Sequence, residues 1–283
     1  MKRLPLTILL VVACGKPSPR VEVPPLPHVA RLADTYRELL PSIQDDNGWF
    51  NAHDCDALLF NSLASAGGAV IEIVKARDDE THQWYRTPDK DCHPDRSASD
   101  ISRDMLLGLM WHIWKSGEFD LGVDLWNYGV KNKWVMGRGP LTRTLFTPTL
   151  RDTLARMIGE GYRAPEVFAR LAPGFGRHLQ VVHILLRGEV TGQLSAQSIK
   201  RLEEYYEEES SNILFQAANG VWVDRSTHVD ISHYPKGRLP TTEDWCEAWP
   251  PQRSADDSGR EPCRKGKIHS GGEILFIDQL IKG

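Results

Sequence analysis

Three stretches of the chain set carboxylates beside aromatic rings or at the opening of a helix, where they could serve glycan chemistry. The first is Asp45-Asp46-Asn47-Gly48-Trp49-Phe50, running into His53-Asp54-Cys55-Asp56. The second is Ser99 to Asp104, where Arg103 stands beside Asp104. The third is Asp244-Trp245-Cys246-Glu247-Ala248-Trp249, with His269 downstream. Glycosidic cleavage takes two carboxyl groups, one kept protonated as acid and one ionised as base or nucleophile. Asp54, Asp56, Asp104, Asp244 and Glu247 are the candidates for those roles. Indole rings accept the C–H faces of sugars, and charged side chains bond their hydroxyls. Trp49, Arg103, Trp245, Trp249 and His269 are therefore the candidate substrate-binding residues.

The same residues have a structural reading. Carboxylates at a helix start accept from unpaired N–H groups and meet the positive end of the macrodipole. Asp54 and Asp56 precede one apolar run, and Asp100, Ser102 and Asp104 precede another. Ser270-x-x-Glu273 matches the capping box. The two readings differ in geometry. Enzyme carboxyls would meet across a groove, about 5–5.5 Å apart if retaining or about 6.5–9.5 Å if inverting. Caps would be dispersed, each on its own helix. The chain holds no G-x-S-x-G, H-E-x-x-H or P-loop, and no two histidines are spaced i, i+4. No metal and no cofactor is expected, with a calcium loop at Asp45, Asp46 and Asn47 as the lesser alternative.

The elements that must position these residues are helices. Apolar residues recur at helical spacing from Val29 to Leu40, Leu58 to Ala66, Met105 to Trp114, Leu121 to Tyr128 and Leu150 to Ile158. The pattern resumes from Leu179 to Leu186, after Ser195, after Asn212 and from Ile274 to Leu280. Trp111 and Trp114 fall on or beside an apolar stripe and read as core, and His112 and His178 as satisfied structural histidines. Strand-like material is confined to Ala69–Val74 and Gln83–Arg86, which predicts one small β-hairpin. The fold class is mainly α: one domain of paired antiparallel helices over 28–283. A long C-terminal loop runs from His228 to His269.

Five cysteines bear on where the protein works. Cys55, Cys92, Cys246 and Cys263 make an even set without a C-x-x-C pair, which favours disulfides over metal binding. Local pairings, Cys55 with Cys92 and Cys246 with Cys263, are the preferred of three connectivities; the second would pin the long loop. Cys14 differs. Lys2 and Arg3 precede the apolar stretch Leu4–Val12, which at about nine residues is far short of the roughly 20 that span a bilayer. Leu10-Val11-Val12-Ala13-Cys14 resembles the lipobox of bacterial lipoproteins. That resemblance implies a signal peptide over 1–13 and a lipid chain (diacylglycerol, palmitate) on Cys14. It also implies a proline-rich tether over 14–27 and a place in the cell envelope. Gly15 after the cysteine implies the outer membrane, facing the periplasm or the cell surface.

Loss of Lys2 and Arg3 with the leader takes the formal charge from −4 to −6, which argues against nucleic acid as a partner. Helical hairpins with acids in their loops also resemble the (α/α) toroid glycoside hydrolases and polysaccharide lyases, in an incomplete form. The resemblance lies in helix-pair rhythm and carries over no catalytic residue. Two functions follow as expectations: a lipid-anchored protein that binds or scaffolds a glycan or envelope protein, and a glycan-active enzyme.

Overall fold

A glycine inside a helix costs stability unless another backbone must come close. Gly108 has such a neighbour: a Cβ on it would stand 3.0 Å from the carbonyl oxygen of Leu59. The helix carrying it, α3 (Arg103–Ser116), thus lies almost backbone to backbone on α2 (Ala57–Ala66). A computed structural model describes residues 27–42, 44–50, 57–90, 100–138, 143–171, 175–210, 212–226, 229–230, 245–246, 268–269 and 272–283. Its other helices are α1 (Pro27–Leu39), α4 (Phe119–Lys131), α5 (Pro148–Met157) and α6 (Phe175–Thr191). These are followed by α7 (Ala196–Glu208), α8 (Ile213–Asn219) and α9 (Gly272–Lys282). The mainly α class expected from periodicity is what the chain adopts.

The starts and stops are local chemistry. Thr147 accepts from the Leu150 N–H and Pro148 opens α5, while Ser195 caps α7 through the Ser198 N–H. Asn212 caps α8, accepting from the Leu214 and Phe215 N–H groups. Gly117, at φ 76, ends α3 in the left-handed conformation and returns its N–H to the Ile113 carbonyl. Ser102 is a departure. Its hydroxyl turns to the Asp104 carboxylate and caps no N–H of α3.

Packing then closes a ring. α2 touches α3 and α9, α3 touches α6, α6 touches α8, and α8 touches α9. Contacts advance together along neighbouring members. Leu59 meets Gly108 and Ser65 meets His112; Trp111 meets Val182 and Lys115 meets Glu189. α2, α3 and α6 therefore run the same way. Helices joined by short connections run antiparallel: in α6 and α7, Arg177 pairs with Glu208 while Gly188 faces Leu194. The middle is filled, with Trp111 edge-on to Phe276 at 4.8 Å.

The small antiparallel hairpin exists but lies elsewhere than expected. It pairs β1 (Val135–Arg138) with β2 (Arg143–Leu145). Within 69–86 the chain makes a 3-10 turn, Ile73–Ala76, and a single bridge between Arg77 and Trp84. Val70 to Val74 do alternate exposed and buried, but the backbone winds into the turn at Ile73, and the bridge to Trp84 comes only at Arg77. A two-residue parallel pairing of Trp245–Cys246 with Ile268–His269 joins the interior of the long loop to its end.

Gly67 marks a tight seam between α2 and α9, since a Cβ there would lie 2.5 Å from the Leu275 carbonyl carbon. Gly67→Ala is expected to cost about 1–3 kcal/mol by urea unfolding. Gly161→Ala, with open space around it, should stay within about 0.5 kcal/mol. Equal effects would refute the close seam between α2 and α9.

Candidate functional site

One hydroxyl–imidazole–carboxylate series lies where α2 meets α3. Ser65 Oγ is 3.0 Å from His112 Nδ1, and His112 Nε2 is 3.6 Å from Glu118 Oε1. Burial lowers the His112 pKa, with Glu118 opposing, so the ring is held neutral. A neutral imidazole between a serine and a carboxylate is the order an activated nucleophile requires. The surroundings, however, do not favour developing negative charge. The nearby N–H groups of Gly67, Gly68 and Ala69 are committed to the carbonyls of Leu63, Ser65 and Ala64. Ser65 also stands in the last turn of α2, at the negative pole of its macrodipole. The series therefore ties two helices together, and none of these three N–H groups is free to form an oxyanion hole.

A second cluster is buried between α5, α6 and α7. Asp152, fully buried, takes Arg187 and Arg156 on one oxygen and the Ala164 N–H on the other. Arg187 reaches on to Glu166 at 2.8 Å, and Glu166 accepts from the hydroxyls of Ser195 and Ser198. Burial pushes the pKa of both carboxylates up, but these hydrogen bonds outweigh it and hold them below their ordinary range. His183, 3.2 Å from Thr153 Oγ1, is driven down to about 3 by burial and then by Arg187 and Arg103. The cluster holds ionised acids and a neutral imidazole, with no carboxyl kept protonated.

A third, more open cluster surrounds Asp100. Its Oδ2 accepts from the Arg138 N–H at 2.9 Å, while its carbonyl accepts from Arg86 Nε. Tyr85 and Tyr128 face it, their pKa values raised by burial and then by the Asp100 charge. Beside them Arg77 pairs with Asp124, and Lys90 with Asp78. The Thr81 N–H and hydroxyl hold Asp78 well below the usual carboxylate range.

Of the candidates drawn from sequence, Trp49 is corrected. It is fully buried, its Nε1 donates to the Glu72 carbonyl, and it belongs to the core. The Asp45 side chain accepts from the Asn47 and Trp49 N–H groups, an Asx turn that leads the indole inward. Arg103 is exposed at the start of α3, and Asp104 beside it is half-buried. Asp54, Asp56, Asp244, Glu247, Trp249, Cys14, Cys55, Cys92 and Cys263 lie outside the described residues; Trp245, Cys246 and His269 are described in backbone only. The groups around Asp152 were missed by sequence reading, since nothing local links Arg187 to acids 21 and 35 residues away. Among the described residues no group of histidines, cysteines and acids could hold a metal ion. No protein-family model, curated protein or solved structure matches the chain.

Two outcomes follow from the buried cluster. Arg187→Met strips Asp152 of a buried partner and should cost about 3–5 kcal/mol. His183 binds its proton in the unfolded chain near pH 6.5 but in the folded one only near 3. Its contribution is thus full above about pH 6.5 and lost as pH falls toward 3, by up to about 1.4 kcal/mol per unit. Asp152 and Glu166, lowered, begin to lose theirs only below about pH 4. Urea midpoints measured stepwise from pH 7 to 4.5 should fall less steeply in His183→Gln than in the parent.

Proposed function

We propose that this is a lipid-anchored protein of the cell envelope, most consistent with the outer membrane, whose helical body binds or scaffolds a partner. The observation that carries the reading is the run Leu10-Val11-Val12-Ala13-Cys14 behind a basic start. A diacylated thiol supplies stable attachment, because each buried CH2 contributes about 0.8 kcal/mol and two chains exceed what one can hold. No helix among the described residues is long and apolar enough to cross a membrane. The attachment in this reading rests on the lipid.

Among the described residues, the electrostatics are those of structural carboxylates, which supports binding over glycan cleavage. The carboxylates among the described residues whose proton affinity the fold shifts are Asp78, Asp152, Glu166 and Glu208, and all four move down. A glycosidase acid needs the opposite displacement. Asp104, the one catalytic candidate among the described residues, accepts from the neighbouring Ser102 hydroxyl.

Metabolic labelling with a fatty acid tests the anchor. The native chain should carry label and sediment with membranes, while Cys14→Ser should lose the label and keep its leader. Equal label in the two chains would overturn the reading.

A further inference from the structure

Helix α4 is amphipathic in an unusual sense. The face it turns to the core is Gly122, Leu125 and Gly129, two of the three without a side chain. A Cβ on Gly122 would stand 2.7 Å from Ile158, and one on Gly129 would stand 2.7 Å from the Trp134 ring. These glycines let α4 sit close, with Leu121, Trp126 and Tyr128 partly packed on the core beside Leu125, while three apolar residues fall on the outer side. Phe119, Val123 and Val130 are 39%, 42% and 54% exposed, and half-buried Trp126 lies between them. Their spacing, i, i+4, i+7, i+11, is a straight stripe along the helix. Leu145, on the hairpin that follows α4, adds a further 54% exposed side chain.

The charge at one end of this stripe is distinctive. From Leu125 to Arg151 the chain holds five cations and no acidic residue, within a protein of net charge −4. Lys131, Lys133, Arg138 and Arg143 are exposed; Arg151 lies over the Trp134 ring at 4.5 Å. Trp134 in turn packs edge-on to Trp126 at 4.8 Å. Lys133 and Trp134 both have positive φ, 54° and 65°, which turns the chain sharply from α4 into the hairpin. The acids Glu118 and Asp120 stand at the opposite end of the helix. An exposed apolar stripe with tryptophans and a basic end is the combination that settles into the interface of an anionic bilayer.

We infer that the outer stripe of α4 and the adjoining basic hairpin form a second membrane contact, which takes anionic lipid headgroups. The choice of occupant rests on the lipid-anchor reading. Residues 14–26, fully extended, reach no more than about 45 Å, so an acylated Cys14 keeps the body within that distance of the lipid. Charge complementarity selects the face: the basic end pairs with headgroups while Phe119, Val123 and Val130 enter the acyl boundary. The anchor holds the protein at the membrane, and this face fixes which way the body looks.

The test uses the full chain carrying Cys14→Ser, so it stands or falls independently of acylation. Sedimentation with vesicles of phosphatidylglycerol in phosphatidylcholine is compared with phosphatidylcholine alone. The parent should partition onto the anionic vesicles and release at high salt. Val123→Glu with Val130→Glu, and separately Lys133→Glu with Arg143→Glu, should each weaken partition at least about tenfold. The uncleaved leader is common to all three chains and cancels in the comparison. Equal partition of the three, or partition indifferent to phosphatidylglycerol, overturns the inference. So does a parent that elutes as a dimer and becomes monomeric in Val123→Glu, which would assign the stripe to a second copy of the chain.

Discussion

Charge buried between helices has to be neutralised there, and this constraint organises the molecule. An ion withdrawn from water carries a penalty of several kcal/mol unless a partner and further hydrogen bonds replace its hydration. Arg177, Arg187, Asp152 and Asp278 are all buried, and each is answered from another part of the chain. Arg187 of α6 joins Asp152 of α5 to Glu166, which reaches the hydroxyls at the start of α7. Arg177 binds Glu208 and Glu209 at the end of α7 and lies 4.8 Å over Tyr205. Asp278 of α9 takes Arg37 of α1, whose guanidinium also donates to the Gly67 carbonyl at the end of α2. Each pair locks elements that apolar packing alone would let slide.

That arrangement has a consequence for function. Two imidazoles whose protonation the fold perturbs, His183 and His112, are spent on holding helices in place. His183 is neutral against Thr153 and Phe168, and His112 is neutral between Ser65 and Glu118. In the reading proposed above, interaction with the outside falls to the surface and to the amino-terminal segment. The two proposals share this logic: one thiol for attachment, and one face of α4 for orientation.

Glycine placement explains how closely α4 lies against its neighbours. Where two helices approach as closely as α2 and α3, or α4 and its neighbours, the contact positions are small. The bulk of α4 is displaced sideways, and part of it stays in water. Ordinary amphipathic reasoning would place Leu121, Leu125 and Tyr128 on the buried face; only Leu125 is fully buried, flanked by the two glycines.

The sequence alone specified the helical class, the helix starts at Ser195 and Asn212, and the buried role of Trp111. Those depend on period, caps and turn residues within a few positions of one another. It misplaced the hairpin, because β1 and β2 are too short to show alternation. It also sent Trp49 to a groove, because a turn two residues earlier decides where that indole points. Only the tertiary structure brought Arg187 to Asp152 and Glu166, or Ser65 to His112, across separations that no local pattern encodes. Short-range geometry is written in neighbouring residues, whereas the neutralisation of buried charge is settled only when distant helices meet.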